Sequence, residues 1–83
     1  MERQTSKPEY LQAIVESLRG LGSDSEDNVL EAVFLIVKDR LYPADFVVLP
    51  NGEPRWRNQA QNMIDGLIED GVIVKKDGIL RLG

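Results

Sequence analysis

The chain has 83 residues, 42% of them hydrophobic and 29% charged, with 10 basic and 14 acidic side chains. This is one small domain with enough apolar residues to fold, which excludes a disordered chain, and its net charge of −4 argues against nonspecific polyanion binding. Cysteine and histidine are both missing, so disulfides, thiolate or imidazole metal sites, a cysteine nucleophile and a serine–histidine pair are excluded.

The longest clean apolar run, from Ala32 to Val37, is far short of the roughly 20 residues of a membrane span. Met1 to Ser6 lack the apolar core of a signal peptide, so a cytoplasmic protein, or a piece of one, is expected. The charge is unevenly spread. Residues 1–49 carry 5 basic and 9 acidic side chains, and residues 50–83 carry 5 of each. The second half can therefore present a local basic face.

Residues 1–6 read as a flexible polar tail, and residues 7–83 as one domain. Ser6-Lys7-Pro8-Glu9 has the spacing of a capping box, with Ser6 as N-cap. Tyr10, Leu11, Ile14, Val15, Leu18 and Leu21 follow at helical spacing, which predicts a first helix over about 7–20, stopped by Gly20 to Gly22. Ser23 to Asp27 reads as the start of a second helix, with acidic residues at the positive end of its dipole. Val29, Leu30, Val33, Phe34, Ile36, Val37 and Leu41 carry that helix over about 25–41, with Lys38 and Arg40 near its end.

Tyr42 to Phe46 reads as a stop followed by a helical turn, Val47 to Leu49 as an apolar connector, and Pro50 to Pro54 as a turn. A third helix begins near Pro54 or Arg55 and ends near Gly71, a C-cap candidate. Its apolar face is Trp56, Ala60, Met63, Ile64, Leu67 and Ile68, with Trp56 anchoring the helix start against the first helix. Val72 to Lys76, Asp77-Gly78 and Ile79 to Leu82 read as a hairpin, because Asp-Gly between β-prone runs is a strong turn signal. The expected fold is α+β: a winged helix-turn-helix of three helices followed by a two-stranded β-hairpin wing.

Leu49-Pro50-Asn51-Gly52, Pro54-Arg55-Trp56-Arg57-Asn58, the Leu67–Gly71–Val72–Ile73 step and Asp77-Gly78-Ile79-Leu80-Arg81-Leu82 together carry a narrower resemblance. The segment from Phe46 to Leu82 resembles the N-terminal winged-helix domain of Mrr-like restriction-system proteins. That family's domain is taken to bind DNA and to deliver a nuclease domain to it, so the resemblance implies a target-recognition module. The Glu-x-Lys unit of such nucleases does not occur here, since no Asp or Glu is followed two positions later by Lys. A standalone binder or a fragment of a larger enzyme is expected, and no catalytic activity of its own.

Helical geometry places Arg55, Asn58, Asn62, Asp65 and Glu69 opposite the apolar face of the third helix, with Arg57, Gln59 and Gln61 flanking the core. Arg, Asn and Gln pair with base edges in the major groove, and recognition helices insert their N-terminal residues. Lys75 and Lys76 beside the hairpin turn suit backbone phosphate. The candidate DNA-binding residues are thus Arg55, Arg57, Asn58, Gln59, Gln61, Asn62, Lys75 and Lys76. No catalytic residue, metal ligand, cofactor, small-molecule substrate or membrane contact is expected. Double-stranded DNA is the first expected partner. The alternative is an acidic winged helix used for protein contact or self-association.

Overall fold

The computed structural model describes residues 6–83, so the expected tail lies outside the described residues except for Ser6. The element order is α1 (Lys7–Leu21), β1 (Ser23–Ser25), α2 (Glu26–Val37), a short 3-10 turn (Pro43–Phe46), α3 (Arg55–Glu69), β2 (Ile73–Lys76) and β3 (Ile79–Leu82). Three helices precede an antiparallel hairpin, the α+β layout of a winged helix-turn-helix.

Each helix boundary has a local cause. At the start of α1, Glu9 reaches back to Ser6, accepting from its Oγ at 2.9 Å and from its backbone N–H at 3.4 Å. Pro8 sits in the first turn, where its missing N–H is no loss. Gly22, at φ 78°, closes the helix by donating to the Leu18 carbonyl. At the other end of the chain, Gly71 adopts φ 81° and donates to Ile68, while Val72 donates to Leu67. Those two bonds form the Schellman closure that satisfies the last carbonyls of α3.

Two boundaries differ from the sequence reading. The predicted second helix over 25–41 ends at Val37. Lys38 to Arg40 form a hydrogen-bonded turn, with the Arg40 N–H donating to Val37, and Tyr42 precedes a proline that disfavours helical backbone there. Lys38 and Arg40 therefore lie beyond the helix rather than in its last turn. The second difference is β1. Ser23 to Ser25, read as part of a helix start, form a strand paired antiparallel with β3, from Ser23 opposite Arg81 to Ser25 opposite Ile79. The sheet is three-stranded in the order β1-β3-β2, with β3 in the middle. Ser25 also serves the expected role, accepting from the Asn28 N–H as N-cap of α2.

The core joins all three helices to the sheet. Tyr10, Ile14 and Leu18 come from α1, Val29, Leu30, Val33 and Val37 from α2, Trp56, Ala60, Ile64 and Leu67 from α3, and Ile73 and Leu80 from the hairpin. Met63 and Ile68, expected in the core, are partly buried against it. Trp56 is buried as expected, and its ring lies against Phe34 of α2, centroid to centroid at 4.9 Å. The helix start is thus tied to α2 as well as to the rest of the core.

Asp77 and Gly78 both have positive φ, 53° and 79°, as a two-residue type I′ turn requires. A Cβ on Gly78 would meet nothing within 4 Å, so its substitution is opposed by the backbone alone. Gly78→Ala is expected to lower stability by about 1–2 kcal/mol, read as a reduced urea midpoint with unchanged slope.

Candidate nucleic-acid interface

The solvent side of α3 is built from amides. Asn58 and Asn62 stand one turn apart on the exposed face, and Asn62 Nδ2 donates to Asn58 Oδ1 at 3.3 Å. Each amide keeps further donors and acceptors for an outside partner. The next turn becomes acidic: Asp65, Glu69 and Asp70 are exposed, and Gln61 Nε2 donates to Asp65 Oδ1 at 3.4 Å. A polyanion can therefore approach the N-terminal half of this face and is repelled from the C-terminal half. Arg55 occupies the first helical position, its backbone N–H bonded to Val47. Its Nε is buried and has no hydrogen-bond partner among the described residues.

The cations expected beside this face are in two different states. Arg57 Nη2 lies 2.9 Å from Asp27 Oδ1, and its Nε lies 3.7 Å from Glu53. Lys75 Nζ lies 3.2 Å from Glu26 Oε2. Two consecutive acidic residues at the start of α2 thus hold one cation from α3 and one from the wing. The pleat explains the second pair. Lys75 is opposite Leu80, whose side chain is fully buried, so it lies on the core-facing side of the sheet. Lys76, opposite Ile79, lies on the outer side, and it forms no ion pair among the described residues. Asp27 is 86% exposed, so these pairs are surface contacts worth about 0–1 kcal/mol each.

Asp24 sits just before this acidic pair. Its carboxyl is held below the usual 3.8, first by the Asn28 side-chain amide donating at 2.8 Å and then by the Ser25 N–H, against a small opposing effect of burial. A lowered carboxyl stabilises the fold above its unfolded value, and that contribution is lost as pH falls through the lower folded value. It is therefore present throughout the neutral range.

The other flank of α3 carries a hollow of about 220 Å³, lined by Lys7 of α1 and by Gln59, Asn62, Met63 and Gly66 of α3. Gln59 and Asn62 were legible as surface amides of a helix. Lys7 was not, because nothing near it in sequence says that the start of α1 lies beside α3. Among the described residues no group of three or more carboxylates is placed to hold a metal ion, and no helix is long and apolar enough to cross a membrane.

The assembled face thus defines a winged-helix domain whose third helix shows amides to solvent between one neutralised flank and one flank with a lysine that forms no ion pair among the described residues. Compared with protein-family models, with curated proteins and with solved structures, the chain gives no match.

Proposed function

We propose that this domain binds double-stranded DNA, with α3 in the major groove and the hairpin wing along the backbone. The observation that carries this reading is the run of amides on the first two turns of α3, at half-buried Asn58 and Gln59 and exposed Asn62, with the partly buried Arg55 beginning the same helix. These side chains match the donor and acceptor patterns of base edges, and they stand at the end of the helix that helix-turn-helix proteins insert. The layout and the Phe46–Leu82 resemblance support a target-recognition module of the kind found in restriction-system proteins, acting in the cytoplasm and without chemistry of its own. Few cations face outward, so binding is weak and strongly salt-dependent.

A second reading has its own observation. Phe46, Val47 and Val48, just ahead of α3, are 48%, 46% and 65% exposed, an apolar run suited to protein contact or self-association.

Amide NMR titration with a short mixed-sequence duplex separates the two. Shifts concentrated at Arg55, Asn58, Gln59 and Asn62 and at Lys76 to Gly78, fading as salt is raised, are expected for DNA binding. No shift at low salt sinks that reading. Shifts at Phe46 to Val48 that depend on protein concentration alone favour self-association.

A further inference from the structure

We infer that Lys7, at the start of α1, is a DNA-phosphate ligand of this domain, and that Arg57 and Lys75 are internal braces instead. The inference rests on the proposed DNA binding and assigns the groups that meet the phosphodiester backbone.

An α-helix with its side chains is about as wide as the major groove, so a helix seated there leaves its two flanks against phosphates. The two flanks of α3 differ. At about 100° per residue, Arg57 and Gln59 stand about 160° apart around the helix axis. On the Arg57 flank the positive charge is already matched. Asp27 lies 2.9 Å from the guanidinium, Glu53 is on its other side, and the neighbouring Lys75 is held by Glu26. A phosphate arriving there meets two cations that have carboxylate partners and a highly exposed Asp27 that repels it.

On the Gln59 flank the balance is reversed. Lys7 is exposed and forms no ion pair among the described residues. It lines the same hollow as Gln59 and Asn62, whose amide groups can each donate to a phosphate oxygen. Gly66 leaves the far wall of that hollow low, since a Cβ there would meet nothing within 4 Å. The carboxylate closest in sequence, Glu9, is turned back onto Ser6 by two hydrogen bonds. The hollow therefore offers one ammonium and two amide donors, a set that suits a backbone phosphate.

The test uses the full chain and a short mixed-sequence duplex, with affinity measured across a salt series. Lys7→Gln is expected to reduce the slope of log affinity against log salt by about 0.9, the value for one lost phosphate contact. Lys7→Arg is expected to restore it. A combined Glu26→Gln, Asp27→Asn, Arg57→Gln and Lys75→Gln variant removes all three ion pairs without changing the net charge, and is expected to keep the wild-type slope. Surface ion pairs contribute little to stability, so that variant keeps its fold. A wild-type slope in Lys7→Gln overturns the role of Lys7. A reduced slope in the combined variant overturns the role of the braces. A wild-type chain that binds no duplex overturns the inference together with the DNA reading, whereas duplex binding untouched by Lys7→Gln overturns the inference alone.

Discussion

The Arg55→Ala, Asn58→Ala double variant is expected to form no measurable complex with a duplex that the wild-type chain binds. Both residues stand on the first turn of α3, at the end proposed to enter the groove. A bidentate contact from such a side chain is worth about 1–3 kcal/mol, so losing two costs about thirtyfold to more than ten thousandfold in affinity. The fold should survive the change. The Asn58 side chain bonds only to the exposed Asn62 amide among the described residues, and the buried Arg55 Nε has no partner there to be orphaned. Far-UV circular dichroism superimposable on that of the wild type, together with lost binding in a fluorescence anisotropy titration, is the expected pair of results. Unaltered affinity would remove α3 from the interface. A protein partner retained by the double variant would separate the apolar surface ahead of α3 from the amide face.

Trp56→Ala is expected to have the largest effect on stability. The ring is 8% exposed and rests on Phe34, so the substitution deletes buried area and an aromatic pair together. Truncating a buried Trp costs about 3–5 kcal/mol, and a domain of this length has only about 4–12 kcal/mol in total. The variant should lose between about a quarter and all of the domain's stability. Urea titration followed by far-UV circular dichroism measures this, since the substitution removes the chain's single Trp as a fluorescent probe. A loss below about 1 kcal/mol would be too small for a buried aromatic and would place the ring outside the core.

What could be read before the structure was what neighbouring residues decide. Asp77-Gly78 specifies a turn through its own backbone preferences, and Gly71 closes α3 by the same means. Ser6 and Glu9 announce the start of α1 because they bond to one another. The exposed face of α3 followed from helical period alone. By contrast, Ser23 to Ser25 carry no strand signal. Small and polar, they are strand only because the middle strand of the hairpin offers its free edge. The end of α2 was overrun because Leu41 continues the apolar stripe and packs on the core without being helical. The Arg57–Asp27 and Lys75–Glu26 pairs join residues 30 and 49 positions apart, a distance at which sequence pattern is silent. That is why two cations expected to contact DNA have carboxylate partners instead, while Lys7 was read only as part of a helix start.

The pairing of β1 with β3 sets the order of events in folding. Its partners are 54 to 58 positions apart, so the loop they close carries an entropic cost that neighbouring contacts do not. The Asp77-Gly78 hairpin can form early on its own, but its middle strand gains a second neighbour only after α1 and α2 have come together. The wing is therefore stitched to the first third of the chain, and it is not a detachable flap. Hydrogen exchange should show the β3 amides opening together with those of α1, in one cooperative unit, and closing this long-range pairing slows the domain's folding below that of a plain three-helix bundle of its size.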